Sequence, residues 1–185
     1  MRFSEKEYEA FLSSKRQGKS DGGANAKLPG ANAQKIGLPF PDDAWSFRDS
    51  PHSKALLSLL KRPAQYYGNQ EHFHQCYIFH YFEVYHPDIY QFLYATPNAG
   101  ARGKVERGRL LSAGLKAGFP DISLDMPVGQ YHGLRCELKR PDARATTSEK
   151  QHHWIELLNS QGYMAFIAFG YQEAIPEIKS YCGVE

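Results

Sequence analysis

Two short runs separated by a turn restrict this chain more than anything else in it. One reads Phe-Pro-Asp-Ile-Ser-Leu-Asp-Met from Phe119, and the other reads Gly-Leu-Arg-Cys-Glu-Leu-Lys up to Lys139. In the first, Ile122 and Leu124 alternate with Asp121, Ser123 and Asp125. In the second, Leu134, Cys136 and Leu138 alternate with Arg135, Glu137 and Lys139. Period-two alternation is the signature of strands, and residues two apart on a strand share a face. Glu137 and Lys139 therefore project together. If the strands pair, Asp121 comes beside them, and two carboxylates converge with one ammonium. Such a cluster is costly to assemble unless a cation or a substrate phosphate resolves it. Two hard oxygen ligands suit Mg²⁺ or Mn²⁺, and a lysine beside them can stabilise an attacking water or the charge of a phosphate.

The rest of the chain sorts around this hairpin. From Asn69 onward the pattern predicts a helix at 70–86, a strand at 90–95 and a helix at 103–117 ended by Gly118. After the hairpin it predicts a helix from Ser148 to Gln161, a strand from Tyr163 to Phe169 and a last helix to about Tyr181. That order implies an α/β fold, a central mixed β-sheet flanked by helices. Residues 1–67 read as an N-terminal extension, and 68–185 as the folded domain. Ser4 to Arg16 has the caps and apolar spacing of a short helix. Residues 17–35 are rich in Gly, Ala, Asn, Lys and Ser with no hydrophobic period, which reads as a tether or a basic arm that tracks DNA. Phe40, Trp45 and Phe47 lie in a turn-rich segment expected to pack on the domain surface, and 53–61 reads as a helix ended by Pro63.

Composition excludes several function classes. Of 185 residues 42% are hydrophobic, enough for a core, and the net charge of +2 does not by itself announce a nucleic-acid binder. Three cysteines without a Cys-x-x-Cys argue for reduced, buried thiols in place of disulfides or zinc. The histidines show no metal-binding spacing, since His72 and His74 diverge on a helix, as do adjacent His152 and His153. No Walker loop, dinucleotide fingerprint or nucleophile elbow occurs, so no nucleotide cofactor is expected. The N-terminal residues start no apolar leader and no run reaches membrane-spanning length, which gives the expectation of a soluble, cytoplasmic protein.

Other residues carry two readings each. Glu71 heads a stripe with Gln75, Ile78 and Phe82 at i, i+4, i+7 and i+11. It is either a charge favoured at a helix N-terminus or a carboxylate needing a partner such as a metal or the lysine. Gln151 heads the stripe of Trp154, Ile155 and Leu158; Ser148-x-x-Gln151 is also a capping box, and the two roles are compatible. Between Ala101 and Ala117 five cations (Arg102, Lys104, Arg107, Arg109, Lys116) stand against the single anion Glu106. Arg102, Arg109 and Lys116 fall on one side of the expected helix, opposite Leu110, Leu111, Gly114 and Leu115, as a solvated face or a grip on DNA phosphates. Arg140 and Arg144 leave the strand of Glu137 and Lys139 toward a substrate, and Asp142 supports the turn. The apolar helix at 70–86 leaves Phe79, Tyr81 and Tyr85 for a second side, a candidate interface.

Pro-Asp followed some fifteen residues later by Glu-x-Lys resembles the PD-(D/E)xK nuclease superfamily. Thr96-Pro97-Asn98-Ala99-Gly100-Ala101-Arg102, Leu115 to Asp121, Glu137-Leu138-Lys139 and Ser148-Glu149-Lys150-Gln151 occur in the order of one branch, the VRR-NUC (virus-type replication-repair nuclease) family. The resemblance spans roughly residues 68–170. Family members often have Gly-Gly after the asparagine where Ala99-Gly100 stands here. It implies a restriction-endonuclease-like core and a Mg²⁺- or Mn²⁺-dependent DNA endonuclease. Asp121 and Glu137 would be metal ligands, Glu71 a third and the Leu138 carbonyl a neutral one. Lys139 would orient or activate the water, and Gln151 would act near the metal. Standalone members resemble junction-resolving homodimers, which implies branched, Holliday-junction-like DNA and a place in repair or recombination. The rival readings are restriction or end trimming on the same fold, and a DNA-binding or assembly module that does not cut.

Overall fold

The computed structural model describes residues 49–97, 104–142 and 145–184. The expected helix at 4–16, the tether at 17–35, the aromatic segment up to 48, Arg102 and Arg144 lie outside those residues.

Helix α1 (Pro51–Lys61) starts where Ser50 accepts the Ser53 N–H and Pro51 takes the first turn. It begins two residues before the sequence pattern suggests, because proline suits that position, having no N–H to lose. A 3₁₀ turn (Pro63–Tyr66) leads to α2 (Gln70–Tyr85). Pro87 then opens a single helical turn, α3 (Pro87–Tyr90), so strand β1 is only Leu93–Ala95 and not the longer strand expected from Tyr90. Helix α4 (Lys104–Ser112) precedes β2 (Ile122–Leu124) and β3 (Leu134–Lys139). Helix α5 (Glu149–Ser160), strand β4 (Met164–Phe169) and helix α6 (Tyr171–Cys182) complete the domain. The sheet order is β1-β2-β3-β4. The first two pairings are antiparallel and β3–β4 is parallel, with Ile122 opposite Cys136 and Cys136 beside Phe166. This is the mixed sheet flanked by helices that the element order implies.

All six residues of β3 are buried, so both faces of the sheet are covered. Leu134, Cys136 and Leu138 join Ile122 and Leu124 in a core completed by α1, α2 and α6. Helix α2 is covered nearly all round; even His74 and His80 are buried. Phe79 is not on an open side as expected, because α1 lies over it and His52 stacks on its ring. Tyr85 remains exposed and Tyr81 half-buried. Polar contacts fix the α1–α2 seam: Ser50 Oγ donates to Glu83 at 2.7 Å, and Ser53 Oγ meets His80 Nδ1 at 3.1 Å. All three cysteines are free thiols. Among the described residues no helix is long and apolar enough to cross a membrane.

Helix α4 stops five residues short of the expected Ala117. Gly114, at φ 101°, closes it: its N–H bonds the Leu111 carbonyl at 3.1 Å, and the Leu115 N–H reaches the Leu110 carbonyl at 2.9 Å. These two bonds are the Schellman pattern, which needs a positive φ that glycine accepts cheaply. Lys116 therefore leaves the helix axis and shares no helix face with Arg109. Leu111 is 43% exposed, which also breaks the expected apolar side.

His74 ties α2 to the start of α6. Its Nδ1 accepts the Tyr171 N–H at 3.1 Å, and its Nε2 meets the Tyr66 hydroxyl at 2.8 Å. An accepting Nδ1 requires the neutral ring, and burial pushes the pKa from 6.5 down to about 4. The unfolded chain then binds more protons between those values, so this stability is present above pH 6.5 and is lost as pH falls through about 4. His74→Asn keeps an acceptor without the titration. It is expected to remove on the order of 3 kcal/mol of the acid-side loss, read as the difference between denaturant melts at neutral pH and pH 4.

Candidate active site

The hairpin delivers its polar residues to the sheet face away from the main core. Glu137 is 2% exposed, Asp121 6% and Lys139 8%. Lys139 Nζ pairs with Glu137 Oε1 at 2.7 Å. Asp121 turns its carboxylate over the end of β3, where Oδ2 accepts the Leu138 N–H at 3.1 Å. Asp121 itself is held from β1: its carbonyl accepts the Thr96 N–H at 2.9 Å, and the Thr96 hydroxyl donates to the Pro120 carbonyl. The expected convergence of Asp121, Glu137 and Lys139 is thus the arrangement observed.

Gln151 enters from α5, where it completes the expected capping box and also reaches Glu137. Its Oε1 accepts the Ser148 N–H at 2.8 Å while Ser148 caps the Gln151 N–H, a complete capping box. Its Nε2 donates to Glu137 Oε1, the same oxygen that takes Lys139. Glu71, half-buried at the start of α2, is near enough for its charge to be felt. Burial raises its pKa first and the Asp121 charge adds to this, while Lys139 and Arg140 oppose. Burial, then Asp121, push Glu137 up to about 7 against the pull of Lys139, with Glu71 raising it further. The three acids thus burden one another, yet among the described residues no trio of His, Cys, Asp or Glu side chains is gathered as a ready metal cage.

The backbone adds one more acceptor. In a strand the N–H and C=O of a residue point to the same side, so the Leu138 carbonyl faces β2, as its N–H does toward Asp121. Extending the β2–β3 register by two places sets Pro120 opposite, and proline has no N–H for that carbonyl.

The cations spread more widely than the sequence suggests. Arg107 and Arg109 are exposed on α4, and Lys116 is exposed beyond its end. Lys104 begins α4. Arg140 is partly exposed next to Lys139, 3.8 Å from Asp142. Two supports escaped the sequence reading. Trp154 Nε1 donates to the Ala117 carbonyl at 3.2 Å and its ring packs edge-on against Phe119. Thr96 was visible only as part of a motif, and its role depends on the β1–β2 pairing.

No protein-family model and no curated protein matches this chain. A solved structure described as a VRR_NUC domain protein is similar to it, with 27% identity and a TM-score of 0.54 over 62% of this chain and 88% of that one. The mixed four-stranded sheet with flanking helices is consistent with that nuclease-like fold.

The turn into Asp121 depends on Gly118. At φ 82° it sits so close to α5 that a Cβ would lie 3.0 Å from Lys150 Cβ and 3.3 Å from the Lys150 carbonyl carbon. Gly118→Ala meets both an unfavourable φ and α5 backbone. It is expected to cost about 1–3 kcal/mol in a denaturant melt. An unchanged midpoint would show that the turn does not bear on α5.

Proposed function

We propose that this protein is a divalent-metal-dependent nuclease that hydrolyses phosphodiester bonds of DNA, with Asp121, Glu137 and Lys139 at its centre. The observation that carries the reading is the burial of two carboxylates and an ammonium on one sheet face, in a chain similar to a VRR_NUC domain protein. A structural hydrogen-bond network does not need acids that raise one another's pKa; a cation of charge two offsets them. The donors present are carboxylates and a carbonyl, hard oxygens that suit Mg²⁺ or Mn²⁺. Asp121, Glu137 and the Leu138 carbonyl would hold the ion, with Glu71 as a further ligand. Once bound, such an ion lowers the pKa of water and draws charge from the phosphate.

The chain's own groups supply the remainder. Hydrolysis forms one P–O bond to a water oxygen while another breaks, and negative charge grows on the phosphate between them. The Lys139 ammonium, fixed by Glu137, offers a positive charge at that point without having to reorganise. Gln151 holds Glu137 Oε1 in place and, through the capping box, ties that oxygen to α5. Arg140, Arg107, Arg109 and Lys116, with Lys104, Arg102 and Arg144 from the sequence pattern, are proposed to meet DNA phosphates. The substrate is proposed to be branched, junction-like DNA held by a two-fold dimer, on the sequence resemblance to standalone members of the VRR-NUC family.

Asp121→Asn, Glu137→Gln and Lys139→Ala are each expected to lower the cleavage rate at least about 10²-fold on a branched DNA in Mg²⁺, with folding retained. Glu71→Gln should instead raise the Mg²⁺ concentration for half-maximal rate. Wild-type turnover in any of the first three removes that residue from the centre, and an unshifted Mg²⁺ titration removes Glu71 from the ligands.

A further inference from the structure

A cleft of about 490 Å³ runs beside the proposed centre between α1, α2, α3 and β1. One end is Ala95, whose neighbour Thr96 holds the Asp121 carbonyl. The α2 wall carries Gln75, one turn beyond Glu71 and about 6 Å further along the helix. The cleft thus ends one residue from Thr96 and one helical turn from Glu71, on the flank of the proposed centre.

Its lining defines the ligand class. His52 and Phe79 stack with ring centroids 5.3 Å apart and planes 19° from parallel, and His52 Nε2 meets the Tyr90 hydroxyl at 3.0 Å. Tyr94 closes the β1 side. Burial lowers the His52 pKa, so this wall is uncharged near neutrality. Among the described residues no carboxylate, lysine or arginine lines the cleft. A bare phosphate finds no counter-charge there, whereas a flat neutral heterocycle finds rings to stack on. The side-chain amide of Gln75 makes no hydrogen bond among the described residues, and it offers a donor and an acceptor to a base edge.

We infer that this cleft receives an unpaired nucleobase of the strand being cut, next to the scissile phosphate. The inference rests on the nuclease reading and deepens it: a single-stranded branch supplies such a base freely, while a closed duplex must first unstack one. The site thereby favours DNA with a splayed or unpaired arm through stacking.

The test compares binding, in Ca²⁺ to prevent cleavage, of a splayed duplex carrying 2-aminopurine at its first unpaired position and of the same strand fully paired. Wild type is expected to bind both and to change the 2-aminopurine emission of the splayed DNA only. His52→Ala and Gln75→Ala should each weaken splayed binding about tenfold and suppress the emission change, while fully paired binding stays the same. Gln75→Ala guards against a folding defect, since it removes only a side chain that makes no hydrogen bond among the described residues. Unchanged splayed binding in both variants overturns the inference. So does an equal loss on both DNAs with a lower melting temperature, which assigns the cleft to packing by the chain itself. A protein that binds neither DNA loses the nuclease reading as well; one that binds and cuts with silent cleft variants loses the cleft alone.

Discussion

A buried ion pair stands at the middle of this structure. Lys139 and Glu137 lie two residues apart on a strand whose every residue is buried, and they meet at 2.7 Å. Charges removed from water are tolerated only when paired and hydrogen-bonded, and deleting one member of such a pair typically costs about 3–5 kcal/mol. The neighbours are arranged to meet that demand. Gln151 adds a donor to the oxygen that takes Lys139, and Asp121 is pinned by the Leu138 N–H. Even so, Glu137 keeps a pKa of about 7, because burial first, and the charges of Asp121 and Glu71 after it, outweigh what the lysine supplies. That unfinished charge balance is the basis of the proposal that an additional cation binds here.

Helix α5 does more than cover the sheet. Its first turn is built on the capping box, so the residue that satisfies the helix N-terminus also touches Glu137. One turn further on, Trp154 bonds the Ala117 carbonyl, and Gly118 lets the chain pass against Lys150. The helix thereby positions both sides of the centre, the acid on β3 and the turn that brings in Asp121. Helix α4 feeds that turn through Gly114, which redirects Lys116 off the helix.

The hairpin was legible in the sequence because a period of two is unambiguous when charged and apolar residues alternate through six positions. Helix α5 was legible from its cap and stripe. The end of α4 was not: Gly114 and Gly118 both suit a C-terminal cap, and only the Leu110–Leu115 closure decides between them. Strand β1 was overestimated because Tyr90 has strand propensity but belongs to a turn opened by Pro87. Phe79 was misplaced because α1 comes over it from outside the region that the motifs cover. Glu71 shows a different limit. Spacing put it at the head of a stripe, but its relation to Asp121 depends on where α2 crosses the sheet, which no local pattern encodes.

The central claim is that the charge imbalance around Glu137 exists to hold a divalent cation. Calorimetric titration of Mn²⁺ into the protein without DNA tests it most directly, with Asp121→Asn and Glu137→Gln alongside. Saturable binding by the wild type, lost in both folded variants, is the expected result. Wild-type protein that binds no Mn²⁺ and still cuts DNA in EDTA, or variants that bind Mn²⁺ as the wild type does, would contradict it.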